Sequence, residues 1–402
     1  MQAGHGGSGW LGGSFVFSRI PEIHFGAGKL ATLPGLLRRG GERVLLVTGS
    51  ASFRHSPHFE TLARSLQSLG VQFEVESVSG EPSPDFVDAI AERYRPRRPD
   101  WVVSIGGGSA IDAGKAISAM LTQEGSVRDF LEGQETRKHD GRKVPFAAVP
   151  TSSGTGAEAT KNAVLSVVGP QGFKNSLRHD NFMPDVALVD PRLMLGCPRA
   201  VTAACGLDAL TQLLEAYVST KASPMTDALA WSGLQSVAAG FVRACEAGAT
   251  DLDARAHMAY AALLSGIVLA NAGLGLVHGF AGPIGGHCAM PHGEVCGTLI
   301  GEATRRTIDV LLADAERQSV ALDKYARAGV LLSGRATQSR REDCQALVDT
   351  LESWVERFDM PRLGCYGITA ADFARILDRS NGKNSPATLD RGQMEAVLAT
   401  RC

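Results

Sequence analysis

Hydrophobic positions follow two different rhythms along the chain. In the first half, short apolar runs alternate with amphipathic stretches. Arg43-Val44-Leu45-Leu46-Val47-Thr48-Gly49 is an apolar run closed by glycine, the pattern of a strand buried on both faces. Val71-Gln72-Phe73-Glu74-Val75 alternates as a strand does, and Trp101-Val102-Val103-Ser104-Ile105 and Phe146-Ala147-Ala148-Val149-Pro150 are further strand-length runs. Between them the spacing predicts helices over 58–69, 85–94 and 111–120, the second introduced by Pro82-Ser83-Pro84. Strands and helices in alternation predict an α/β fold with a doubly wound parallel sheet.

From about Val201 the rhythm changes. Ala, Leu and charged residues recur at helical spacing and no strand pattern stands out, so the second half is expected to be all helical. The change falls near Asp190-Pro191. The expected organisation is a flexible glycine-rich tail over 1–13, an α/β domain over 14–192 and a helical domain over 193–402. The apolar stretch 259–277 has the length of a membrane span. Ser265, Asn271 and three glycines interrupt it, which predicts a buried core helix instead. Ser14-Phe15-Val16-Phe17 reads as an apolar edge strand, open to pairing with a second copy. No internal repeat stands out.

Composition narrows the partners. Lys and Arg number 40 against 42 Asp and Glu, and a balance so near neutral argues against nucleic acid or an anionic membrane as the main partner. The eight cysteines are scattered with no C-x-x-C pair, which removes zinc-knuckle and thioredoxin-type readings and suits a reducing, cytoplasmic setting. The segment 1–13 lacks the basic and apolar regions of a secretory signal.

Candidate chemistry lies at three places. Gly106, Gly107, Gly108 and Ser109 sit between a predicted strand and a predicted helix, with Asp112 and Lys115 next on that helix. Glycine brings backbone N–H groups close to a phosphate at a helix start, and it equally serves a tight βα turn. The spacing is neither a Walker A motif nor G-x-G-x-x-G. A second loop, Pro150-Thr151-Ser152-Ser153-Gly154-Thr155-Gly156, offers hydroxyls to a nucleotide or a helix cap. In the helical half, Asp208 and Gln212 lie four apart on one helix face. His278 and His292 flank Gly282-Pro283 and Gly285-Gly286, which are expected to break the helix and let the chain double back. One carboxylate and two imidazoles suit a divalent metal, and an interior hydrogen-bonded histidine is the alternative at each position.

Taken together, the segments GGGSAIDAGK, PTSSGTGAEAT, GLDALTQLLEAY and HGFAGPIGGHCAMPHG occur in the order and spacing of the iron-containing (group III) alcohol dehydrogenase family, which the chain resembles from about Phe15 onward. The resemblance implies an N-terminal nucleotide-binding α/β domain and a C-terminal helical domain, the architecture also found in dehydroquinate synthase. It implies hydride transfer between NAD or NADP and an alcohol or aldehyde, assisted by Fe²⁺ or Zn²⁺, and a homodimer. Gly106, Gly107, Gly108, Ser109 and Asp112 match the pyrophosphate motif, and Thr151, Ser152 and Thr155 match positions lining the cofactor. Asp208, His278 and His292 match three of the four metal ligands.

Three positions depart from the family pattern. Gln212 stands where the fourth ligand is normally His, so a weaker hold on metal is expected. Gly282 stands where a second His often lies near the nicotinamide. Gly49 stands where an acidic residue often takes the adenosine ribose, so a 2′-phosphate would meet no like charge and NADP(H) is expected to be accepted. The competing functions are a metal-independent reductase of the maleylacetate reductase type with Gln212 as hydrogen-bond donor, a dehydroquinate synthase-like lyase, and a non-catalytic binding scaffold.

Overall fold

Residues that must satisfy their backbone away from water on both faces pair as parallel strands, and here they form one six-stranded sheet. The computed structural model describes residues 14–169, 171–313, 320–382 and 384–402, so 1–13 and its expected tail lie outside the described residues. The strands are β1 (Glu22–Phe25), β2 (Arg43–Gly49), β3 (Gln72–Val78), β4 (Trp101–Gly106), β5 (Phe146–Pro150), β6 (Asn162–Val167), β7 (Phe173–Arg178) and β8 (Val186–Val189). Sheet order is β3-β2-β4-β5-β8-β1, every pair parallel, while β6 and β7 form a separate antiparallel hairpin. Helices α1 (Leu33–Gly40), α2 (Pro57–Ser68), α3 (Pro84–Tyr94) and α4 (Gly108–Met120) cover the sheet.

Alternation along β2 assigns the two faces. Leu45 and Val47 join the core beneath α3 and α4, and Val44 and Leu46 join the core beneath α1 and α2. The chain steps outward from β2 to β3, then returns past β2 to β4. This reversal opens a crevice at the carboxyl ends of β2 and β4, where Gly49 and Gly106 lie. A side chain at Gly106 would stand 2.6 Å from Ala110 Cβ and 3.2 Å from the Gly49 nitrogen, so the close crossing requires glycine.

After β8 the described residues form helices only: α5 (Arg199–Val218), α6 (Pro224–Ala247), α7 (Leu252–Ala272), α8 (Leu276–His287), α9 (His292–Ala313), α10 (Val320–Ser333), α11 (Arg340–Arg357), α12 (Ala370–Arg379) and α13 (Arg391–Thr400), besides short 3-10 turns. Helix α5 is buried on nearly every side, so it carries little amphipathic pattern and forms the axis of this half.

Three expectations need correction. The pairs Gly282-Pro283 and Gly285-Gly286 do not break the helix, because α8 runs through Pro283 and ends at His287. Gly285 and Gly286 serve packing: a Cβ at Gly285 would stand 2.9 Å from the Lys174 side chain, and one at Gly286 3.0 Å from Phe173 Cα. The break falls at 288–291, and Pro291 accepts the first backbone bonds of α9 from Glu294 and Val295. The stretch 259–277 is no single helix either. It covers the end of α7, a turn at Gly273 and the start of α8, which bends away by 99°. Among the described residues no single helix is long and apolar enough to cross a membrane. Residues 14–17 form no strand, since only Phe17 finds apolar surface against the helical core while Phe15 and Val16 are exposed. The segment is tied instead by Ser18 N–H to Asn271 Oδ1, 2.6 Å.

The two halves meet backbone to backbone. Gly156, in the left-handed conformation at φ 60°, lies against α7 so closely that a Cβ would stand 2.4 Å from both Ala262 O and Gly266 N. Gly156→Ala therefore combines overpacking with an unfavourable backbone conformation and is expected to cost about 2–4 kcal/mol. Chemical denaturation followed by circular dichroism checks this, and an unchanged midpoint would refute the tight contact.

Candidate functional site

A cavity of about 820 Å³ opens between the carboxyl ends of the sheet and helices α5, α8 and α9. Gly107, Gly108, Ser109 and Asp112 line it from the start of α4, and Ser152 and Thr155 from the loop after β5. Gln212, His278 and His292 line it from the helical half. Gly49, Gly106 and Thr151 are not in its wall, and Asp208 lies behind it with 1% of its surface exposed.

The two loops of the α/β half lock together. Thr151 N–H donates to Gly106 O at 2.9 Å. Side chains at Gly107 and Gly108 would stand 3.2 Å from Ser152 Oγ and 2.8 Å from Thr155 Oγ1. Gly107 caps α4, so the first N–H groups of that helix have no intrahelical partner and face the anion-attracting end of its dipole. Lys115 is not part of this cradle. Its buried ammonium donates to Ala157 O and Asn162 O, both at 2.8 Å, and to Thr160 Oγ1 at 3.0 Å, pinning the loop after β5.

In the helical half, α5 supplies Asp208, the first turn of α8 supplies His278, and the first residue of α9 is His292. The break at 288–291 sets the two rings 5.5 Å apart, centroid to centroid. Asp208 Oδ1 lies 3.4 Å from His278 Nε2 and 3.6 Å from His292 Nε2. That oxygen is buried and accepts no hydrogen bond, and His292 Nδ1 is also without a partner. Glu215, two turns along α5, holds His278 through Nδ1 at 2.7 Å and takes the Val277 N–H at 2.7 Å. This bond turns His278 Nε2 toward the cluster, as in metal-binding carboxylate–histidine pairs. The sulfur of Cys296 completes a group of four donor atoms, all within 4.8 Å of one another.

Burial by itself would raise the Asp208 carboxyl, but His292, His278 and a hydrogen bond from Gln212 bring it down to about 2. Burial lowers His292 to about 4, which leaves its imidazole neutral. Burial acts in the same sense on His278, yet Cys296, Asp208 and Glu215 raise it well above the ordinary range. A proton at His278 thus supplies positive charge beside Asp208, and a divalent cation would compete for the same place. An orphaned anionic oxygen facing two imidazole nitrogens fits such a cation, with Asp208, His278 and His292 as its holders.

The carbonyl oxygen of the Gln212 amide accepts from Ser265 Oγ, 3.2 Å away. Gly282 stands clear of this cluster, its would-be Cβ 3.9 Å from Lys174 O, and His287 turns instead to Asp372 at 3.2 Å. Sequence reasoning missed Glu215 and Cys296. Their signal was helical spacing: Glu215 follows Asp208 by seven residues and Cys296 follows His292 by four. It also missed Lys174, which lines the cavity from β7 and pairs with Glu81.

Comparisons with known proteins place this geometry in context. Residues 21–191 match the family described as "Iron-containing alcohol dehydrogenase", and residues 202–402 match "Fe-containing alcohol dehydrogenase family, C-terminal". The 1,3-propanediol dehydrogenase of Klebsiella pneumoniae is 33% identical over 391 residues, covering 94% of this chain and 97% of that protein. The NADPH-dependent butanol dehydrogenase of Clostridium saccharobutylicum is 30% identical over 393 residues, covering 95% and 96%. A crystal structure of 1,3-propanediol oxidoreductase superposes with a TM-score of 0.84 at 28% identity, covering 97% of this chain and all of that one.

The helix-start cradle generates a direct test. Gly107→Val puts a branched side chain where the backbone would approach a phosphate, and coenzyme affinity is expected to fall at least ~10-fold with the fold retained. Fluorescence titration with NADH or NADPH checks it, and unchanged affinity in the folded variant would remove the loop from the site.

Proposed function

Because the chain belongs to the iron-containing alcohol dehydrogenase family, we propose that it interconverts an alcohol and an aldehyde or ketone in the cavity between its α/β and helical halves, using NAD(P). The observation that carries this reading is that one cavity joins the amide-rich start of α4 to the Asp208, His278 and His292 cluster. When bound, NAD(P) would supply the hydride acceptor or donor, and a divalent cation held by Asp208, His278 and His292 would supply Lewis-acid polarisation of the substrate.

The chain's own residues bind, orient and exclude water. Free N–H groups at Gly108 and Ser109 and the hydroxyls of Ser152 and Thr155 hold the pyrophosphate end of the coenzyme. Asp208 anchors the positive charge, and Glu215 keeps His278 facing it. Leu269, Met290 and Val164 give the cavity apolar walls that exclude competing water and keep the reacting atoms aligned. The relatives whose names specify propanediol and butanol support a small aliphatic alcohol or its aldehyde as substrate.

The end of β2 bears on the choice of coenzyme. A side chain at Gly49 would meet nothing within 4 Å, so that place is free of both charge and bulk. Arg54, on the loop that follows, donates to Ser77 Oγ at 3.2 Å, which keeps a guanidinium beside the carboxyl end of β3. We infer that NADP(H) is accepted at least as well as NAD(H).

Two outcomes follow. Gly49→Asp fits without strain and is expected to shift the kcat/KM ratio toward NAD(H) by about tenfold or more through like-charge repulsion of the 2′-phosphate. A strong native preference for NAD(H), or a ratio unmoved by the substitution, would defeat the inference. Dialysis against a chelator is expected to abolish turnover, with recovery on adding Zn²⁺ or Fe²⁺, and His278→Ala is expected to lose both metal and activity. Full activity in demonstrably metal-free protein would instead favour a metal-independent reductase in which the Gln212 amide meets the substrate oxygen.

A further inference from the structure

Cys296 lies at zero exposure on α9, one turn beyond His292 and on the same helix face. Its Sγ is 3.6 Å from His278 Nε2 and 3.7 Å from His292 Nε2. Asp208 Oδ1 is 3.4 and 3.6 Å from the same two nitrogens. A tetrahedral zinc ion with nitrogen and oxygen ligands near 2.0–2.1 Å and sulfur near 2.3 Å separates its ligand atoms by about 3.3–3.6 Å. Four of the six donor-to-donor distances therefore stand at or within about 0.1 Å of tetrahedral edge lengths, and all six are within 4.8 Å. A second, independent observation marks the same centre: Asp208 Oδ1, buried and without a hydrogen bond, faces into it.

Gln212 is placed differently. Its carbonyl oxygen accepts from Ser265 Oγ at 3.2 Å, so the acceptor end of the amide is already engaged away from the cluster. We propose that Cys296, in place of Gln212, supplies the fourth protein ligand, making an Asp–His–His–Cys centre that selects zinc over iron. A soft sulfur ligand favours zinc where a third imidazole or an amide oxygen would not. Cys296 and Asp208 approach from the buried side, since neither lines the cavity, whereas His278, His292 and Gln212 do. The cavity side of the centre thus stays open to substrate, with Gln212 on its rim as a hydrogen-bonding group.

This inference rests on the metal-dependent reading above, and one experiment separates the two. Full-length protein is stripped with chelator and titrated with Co²⁺, whose bond to sulfur gives a near-ultraviolet charge-transfer band that oxygen and nitrogen ligands do not. One equivalent of Co²⁺ producing that band, the band lost in Cys296→Ser and kept in Gln212→Ala, is the expected result. Zinc affinity measured against a competing chelator should fall about tenfold or more in Cys296→Ser, with far-ultraviolet circular dichroism unchanged. One equivalent of Co²⁺ without the band, or a band unmoved by Cys296→Ser, overturns the sulfur ligand and leaves the metal reading standing. Failure of the wild-type protein to bind Co²⁺ or Zn²⁺ stoichiometrically overturns both. Should Cys296→Ser not fold, X-ray absorption of the wild-type zinc protein decides alone, by the presence or absence of a scatterer near 2.3 Å.

Discussion

A carboxylate held at 1% exposure in a helix buried over most of its length is costly unless positive charge stands beside it. Asp208 is that carboxylate, and the helical half is arranged around the need to compensate it. Its Oδ1 looks at two imidazoles that reach it from helices broken apart at 288–291. His278 needs Glu215 to keep its ring turned inward, and Glu215 comes from the same helix as Asp208. Removing one partner of such a group leaves charge without compensation, which costs far more than losing an exposed pair. The cluster is therefore a constraint on the packing of α5, α8 and α9 as well as a place for chemistry.

Much of the α/β half was legible because buried parallel strands have a plain signature. β2 and β5 fall on the apolar runs read from the sequence, and the change of rhythm near 190 coincides with the last strand, β8. β1 escaped because its four residues carry Glu22 and His24, polar groups tolerable on an edge strand. The β6–β7 hairpin escaped because Asn162, Ser166, Lys174, Asn175 and Ser176 mix into it, and its apolar side is defined only by α4 and α8 packing there. Glycine was misread for the same reason. In Gly282-Pro283-Ile284-Gly285-Gly286 its local meaning is a break, while its tertiary meaning is room for the neighbouring strand β7.

The site was legible as residue types and only partly as geometry. Asp208, His278 and His292 meet, and the glycine loop opens onto the cavity that two of them line. What the chain alone did not disclose was how Gln212 would orient, because an amide can present either end and Ser265, 53 residues away, takes its oxygen. Cys296 joins the cluster only because one turn of α9 places it beside His292, which no local sequence pattern displays.

Hydride transfer tolerates little misplacement, so the distance between the glycine loop at the start of α4 and the polar cluster must be held by something rigid. The contacts that hold it combine one buried long side chain with backbone packing and short hydrogen bonds. Lys115, buried and saturated by three acceptors, fastens the later part of the loop after β5 to the first residue of β6. Thr151 ties that loop to Gly106, and Gly156 presses it against Gly266 of α7 with no Cβ between. Ser265, the neighbour of Gly266, reaches Gln212 on α5 one turn from Asp208. A continuous path thus runs from the free amides at the start of α4 to Asp208, through backbone contacts and hydrogen bonds. Glycine at 156 and 266 is demanded by this path, because any side chain there would separate the two halves and change the one distance that the reaction depends on.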